Sequence, residues 1–164
     1  MKPIAALGGG IAGAAAVTLI HESVKKLVPQ APRMDLLGMN AVSKALNAAG
    51  IKTPTDTKLF AIALTGDLIA NSLYYSLAGI GKEKNIWLRS AALGLAAGIG
   101  AVTLPGPLGL DDRYSNRTTA TKFMTVGLYV AGAVVATAVI KLLAKKKQKH
   151  NQEWERKLVT SAMG

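Results

Sequence analysis

The chain has 164 residues and carries 20 Lys plus Arg against 9 Asp plus Glu, a formal net charge of +11. Half of it is hydrophobic, only 5% is aromatic and there is no Cys, which excludes a disulfide framework and a thiolate metal site. Ala, Gly, Leu, Ile and Val supply the apolar surface, a mix suited to closely packed membrane helices. The positive charge lies between and after the apolar runs, without an aromatic-interleaved basic patch. The expected partner is therefore the anionic lipid headgroup layer and not nucleic acid.

The first apolar run, residues 3–28, has no charge from Ile4 to Ile20 and then carries His21, Glu22, Lys25 and Lys26. About 20 apolar residues cross a bilayer. The run reads as a retained helix and not a signal peptide, because its small residues are spread along it instead of marking a cleavage site. Gly8-x-Gly10-x-x-Gly13 matches the dinucleotide-binding fingerprint, with Asp35 near the distance of the ribose-binding acid. That fingerprint needs a strand–turn–helix unit, and Asp35 follows Pro32-Arg33 instead of a second strand. The glycines read better as a face for helix approach, with Ala5, Gly9 and Gly13 at four-residue spacing.

Residues 33–49 place Met34, Leu37, Met39, Val42, Ala45, Leu46 and Ala49 near a 3.6-residue period. This amphipathic helix is too short and polar to span. It is expected in the interface plane with its apolar face down, or capping the bundle, with partner docking as the alternative. The second spanning helix, residues 59–80, follows the turn Thr53-Pro-Thr-Asp-Thr. A five-residue connection, Gly81-Lys-Glu-Lys-Asn85, leads to the third, residues 86–104, and predicts the two as antiparallel neighbours. The third helix is nearly all Ala, Gly and Leu at its centre, with Gly94 and Gly98 as a GxxxG pair. It is expected to be the most enclosed. Trp87 suits the interface and Arg89 can snorkel to it.

Pro105-Gly-Pro107 ends that helix. The following loop holds Asp111 and Asp112, which read as solvated partners of Arg113 and Arg117 and not as a metal site. The fourth helix, residues 123–144, is expected to stop at the run of Lys145, Lys146, Lys147 and Lys149, which marks an anionic lipid surface. Residues 150–164 form a basic, amphipathic tail, with Trp154 and Leu158 on one helical face.

The sequence thus predicts an all-α polytopic membrane protein. Residues 1–149 form a four-helix transmembrane bundle with a short interfacial helix between the first two spans. The expected location is the plasma or inner membrane, with both termini cytoplasmic by the basic-residue rule.

Chemistry can sit at two places. Asp67, Asn71 and Tyr74 occupy i, i+4 and i+7 of one helix face, flanked by Ala63, Ala70 and Ala78. An intramembrane carboxylate is costly, so this stripe can line a polar cavity, bind a cation or relay protons. Alternatively, Asp67 bonds Asn71 and a hydroxyl such as Thr18 or Thr137 and holds helices together. His21 and Glu22 are the second candidates, as a pH-sensitive group or a ligand; the alternative is an interfacial pair of Glu22 with Lys25 or Lys26. Antiparallel threading puts Glu22 about eight residues, roughly 12 Å, from Asp67. That is too far for pairing but close enough for a shared water-filled vestibule. No catalytic motif, metal site or cofactor site is recognised. The density of small residues points to a non-enzymatic membrane protein acting as an oligomer or assembly subunit. The alternative is a small channel or transporter for a cation, proton or small solute, using Asp67.

Overall fold

Nothing between Pro3 and Leu27 stops a helix. Pro3 stands in the first turn, where its missing N–H costs nothing, and the next proline is Pro29. Helix α1 (Pro3–Leu27) accordingly runs unbroken through all three fingerprint glycines, so no dinucleotide-binding turn exists there. The computed structural model describes the backbone of residues 3–162 and the side chains of residues 3–146. It continues with α2 (Met34–Ala48), α3 (Asp56–Ser76), α4 (Ile86–Thr103), α5 (Arg113–Asn116) and α6 (Thr119–Ala162). Short 3-10 turns at Leu77–Gly79 and Glu83–Asn85 join α3 to α4. Among the described residues there is no strand.

Three stretches are long and apolar enough to cross a membrane: Pro3–Leu27, Glu83–Thr103 and Thr119–Lys146. Large apolar side chains form outward stripes, such as Ile4, Leu7 and Ile11 on α1 and Leu88, Leu95 and Ile99 on α4. Exposed patches of that kind suit lipid and not water. Helix α6 does not end at the lysine run but continues to Ala162. Lys, Gln, Glu and Arg are good helix formers, and no Gly or Pro interrupts them before Gly164. The side chains of Lys147, Lys149, Trp154 and Leu158 lie outside the described residues.

Successive long helices alternate in direction. Helix α1 packs against α3 on one side and α6 on the other, and α6 packs against α4. The contacts are backbone-close. A methyl group on Gly10 would lie 2.1 Å from the Ser72 carbonyl oxygen of α3, and one on Gly9 2.6 Å from the Ala136 carbonyl oxygen of α6. Gly132 answers from α6, where a methyl group would lie 2.2 Å from Val17 and 2.7 Å from the Tyr75 hydroxyl. Tyr75, 1% exposed, crosses from α3 to donate to the Tyr129 carbonyl oxygen of α6 at 2.9 Å. On the other flank, Gly94 and Gly98 of α4 abut Val130 and Val126, and Ser90 donates to the Ala133 carbonyl oxygen at 2.8 Å.

Three expectations change here. Helices α3 and α4 are neighbours only near their connecting turn. There the Tyr74 hydroxyl donates to the Leu93 carbonyl oxygen at 2.9 Å. Arg89, instead of snorkelling, caps the Ala78 carbonyl oxygen with Nη2 at 2.7 Å. Away from the turn they share no extended packing, because Gly10 and Tyr75 draw α3 to α1 while Gly94 and Gly98 draw α4 to α6. Helix α4 is also the least enclosed of the three apolar stretches, with 22% of its span buried against 39% in the other two. Its glycine face meets only α6, and the adjoining Ala-rich face lines a cleft.

Helix α2 lies across the end of the bundle remote from the α3–α4 turn, against α3. Asn40 accepts from the Asp111 backbone N–H at 3.1 Å, and Lys44 donates to the Gly109 carbonyl oxygen at 2.9 Å. The helix thus caps the bundle and ties α3 to the loop after α4.

Close packing at Gly10 makes a direct forecast. Gly10→Val should lower stability by about 1–3 kcal/mol through overpacking. Gly66→Ala, with nothing within 4 Å, should be neutral or stabilising by up to about 1 kcal/mol. Thermal unfolding of both variants in detergent checks this; equal midpoints would contradict the close approach of α1 and α3.

Candidate functional site

Asp67 sits midway along α3 on the face opposite the outward stripe of Ile62, Ile69 and Leu73. Its Oδ1 accepts a hydrogen bond from Asn71 Nδ2 at 2.9 Å. The i, i+4 spacing brings these two together on one helix. Tyr74, the third member of the stripe, is engaged elsewhere through its bond to Leu93. Among the described residues, no Lys or Arg forms an ion pair with Asp67.

Two hollows meet at this carboxylate. The first is a cleft of about 560 Å³ between α3 and α4. Its walls are Ala70, Asn71 and Tyr74 on one side and Ala96, Ala97, Gly100 and Ala101 on the other, with Tyr129 behind and α2 at one end. The second is a smaller cavity of about 40 Å³ enclosed by α1, α2, α3 and α6. By that measure it has room for two or three water molecules, each needing about 10–15 Å³. Thr18, His21, Glu22 and Asp35 line it together with Asp67. Thr18 Oγ1 is buried there without a hydrogen-bond partner. A buried hydroxyl of that kind is ordinarily satisfied by water.

Beyond the cavity runs a chain of charges. His21 is buried, with Nε2 2.8 Å from the Pro32 carbonyl oxygen. The Met34 backbone N–H donates to the same nitrogen at 3.3 Å, and Nδ1 faces Glu22 at 3.8 Å, a gap that suits a bridging water. Glu22 pairs with Lys25 at 2.6 Å, and Lys25 with Asp35 at 3.1 Å. Arg33 then grips Asp35 with both Nε and Nη2, at 3.1 and 2.9 Å. A polar route thus leads from the middle of α3 to the α2 end of the bundle.

Burial of Asp35 works against its charge, but the Arg33 and Lys25 bonds prevail and hold its carboxyl at about 2, below the ordinary 3.8. Its bond to Asp35 raises the Arg33 guanidinium above its ordinary value. In the loop after α4, Arg113 bonds Asp111 at 2.7 Å and lowers that carboxyl. Among the described residues, no three His, Cys, Asp or Glu side chains come together to hold a metal.

The structure therefore joins Asp67 to Asn71, and places Glu22 and His21 on the same cavity without direct contact to Asp67. Of the hydroxyls named from sequence, Thr137 donates to Ser90, while Thr18 faces the cavity. Lys145 and Lys146 are exposed on α6. Asp35, Thr18 as a cavity hydroxyl and Tyr129 are additions. Asp35 had one signal in the chain, an acid ten residues after Lys25 across a proline-bounded turn. Scans against protein-family models, curated proteins and solved structures found no match, so the functional reading rests on the site's own chemistry.

The depressed Asp35 carboxyl has a definite sign in the pH dependence of stability. A group whose pKa is lowered by folding contributes fully above its unfolded value near 3.8 and loses that contribution as pH falls through about 2. Allowing for solvent screening, the contribution is on the order of 1 kcal/mol. Asp35→Asn should be less stable than the parent at pH 5, and the difference should shrink strongly by pH 2. Unfolding midpoints at the two pH values test this, and a pH-independent difference would exclude it.

Proposed function

We propose that this protein is a four-span membrane protein that binds and passes a proton or a cation, with Asp67 as the binding group. The observation that carries this is the position of Asp67, the one carboxylate lining both the α3–α4 cleft and the internal cavity. A carboxylate without a basic partner, between two hollows on one polar route, is arranged to take up and release positive charge.

Helix α3 is the fourth span in this reading. Its 21 residues are long enough to cross a bilayer, it lies antiparallel against α1, and Ile62, Ile69, Leu73, Leu77 and Ile80 make its outward face apolar. Asp67 and Asn71 lie on the opposite face, toward the α3–α4 cleft. Assembly into an oligomer had its support in the small residues. Gly9, Gly10, Gly13, Gly94, Gly98 and Gly132 are each occupied by neighbours within one chain, which leaves that reading less to stand on. The termini are placed on the cytoplasmic side, with Lys145 and Lys146 at the anionic headgroups.

Topology is testable without background, since the chain has no native Cys. In intact cells, Thr55→Cys should react with an impermeant maleimide added outside, and Lys82→Cys only after the membrane is opened. Labelling of both from one side would remove α3 as a span. Function is tested in liposomes under an imposed pH gradient. The parent should dissipate it, and Asp67→Asn should slow the flux at least tenfold. Equal flux, or none from the parent, would defeat the reading.

A further inference from the structure

We propose that the α3–α4 cleft is a binding site for a lipophilic organic cation. The charged centre lies against Asp67, and the apolar body fills the space between Tyr74, Tyr129 and the Ala96–Gly100 wall. This rests on the reading of Asp67 as a cation-binding group and names the class of cation.

Charge comes first. Asp67 has an Asn71 amide on Oδ1 and no basic side chain paired with it among the described residues. Asn71 fixes the carboxylate without neutralising it. An occupant with a positive group supplies the compensation that the chain withholds. The remaining lining selects the kind of cation. A dehydrated metal ion needs several oxygen ligands, and among the described residues no three His, Cys, Asp or Glu side chains come together to supply them. Instead the cleft is mostly alanine, glycine and leucine, with two tyrosine rings. Aromatic rings attract organic cations through their quadrupole. Its volume of about 560 Å³ lies within the range of about 300–1,000 Å³ typical for small organic ligands.

Access supports the same class. One end of the cleft is bounded by α2 and the loop residues Pro105, Leu108 and Leu110, and toward the other the Tyr74 hydroxyl bonds across to the Leu93 carbonyl oxygen. The opening is sideways between two helices whose outer stripes are apolar. A ligand that enters there does so from the lipid phase, so it must partition into lipid. On the other side of Asp67, the enclosed cavity gives a proton a separate approach. The titratable groups facing Asp67 are His21 and Glu22 from α1, Asp35 from α2, Tyr74 from its own helix and Tyr129 from α6. Helix α4 presents none to the cleft. Protonation of Asp67 removes the charge that holds the ligand, so proton and organic cation compete for one carboxylate.

Tetraphenylphosphonium is a suitable probe, and tetraphenylborate, of the same shape with a negative charge, is its control. The full chain in lipid nanodiscs should bind the phosphonium saturably at pH 8, and not the borate. Affinity should fall at least tenfold in Asp67→Asn and in Ala96→Leu, which narrows the cleft and keeps the carboxylate, and it should weaken in the parent as pH is lowered. Thermal unfolding of each variant shows that it is folded. Lack of saturable phosphonium binding by the parent, equal binding of the borate, or unchanged affinity in folded Asp67→Asn would overturn the proposal. Asp67-dependent proton flux without phosphonium binding defeats this inference and leaves the proton pathway standing. Asp67-dependent binding without flux supports the site and defeats transport.

Discussion

The constraint on which the structure depends is the approach of α1 to α3 and α6 at Gly9, Gly10, Gly13 and Gly132. In a bilayer there is no hydrophobic gain from helix association, so packing and polar contacts between backbones must hold the bundle. Here the axes come so close that a methyl group would meet a carbonyl oxygen at Gly10. Tyr75 then reaches past Gly132 to the Tyr129 carbonyl oxygen and fixes α3 to α6 through the gap that the glycine leaves.

That arrangement determines where the hollows lie. Helix α3 is committed to α1, and α4 to α6 through Gly94 and Gly98. A short connection joins α3 and α4, yet their backbones are drawn to different partners, and they splay. The cleft follows from this geometry. Polar satisfaction then separates structural from reactive groups. Ser90, Thr125 and Thr137 are buried and each donates to a partner within the bundle. Among the described residues, Asp67 has only its own neighbour Asn71, and Thr18 Oγ1 has no partner. Asp67 and Thr18 line the same cavity, which Asp67 shares with the cleft.

Much of this was legible in the chain. Apolar length and the prolines at 29, 32, 54 and 105 mark the long helices, and the four-residue spacing of Ala5, Gly9 and Gly13 marks the face that α1 presents to the bundle. The Asp67–Asn71 pair follows from helical spacing alone. What was not legible is which helix each small stripe would choose. Gly94-xxx-Gly98 reads equally as a contact with α3, with α6 or with a second chain, because GxxxG specifies closeness and not the partner. For that reason α4 was expected at the centre and stands at the side. The continuation of α6 was missed because a lysine run reads as the end of a span, whereas it ends only the apolar part of the helix. Asp35 was missed as a site residue because Lys25 meets it only when α2 folds back across the end of α1.

The two walls of the cleft show why its composition matters. Asp67 and Asn71 project from α3, while α4 offers Ala96, Ala97, Gly100 and Ala101, none of which can reach across. A bulkier residue on α4 would fill the gap and cover the carboxylate with protein. A basic residue there would neutralise it. The sequence places neither, and the nearest basic side chain on the polar route, Lys25, is already paired with Glu22 and Asp35. The charge at Asp67 is thus left to whatever enters the cleft or to a proton from the cavity. The salt bridges at the α2 end hold the cavity's rim in place without reaching Asp67. Ion pairs at the rim and a carboxylate without a basic partner among the described residues are complementary parts of one arrangement, in which positive charge at Asp67 is supplied from outside.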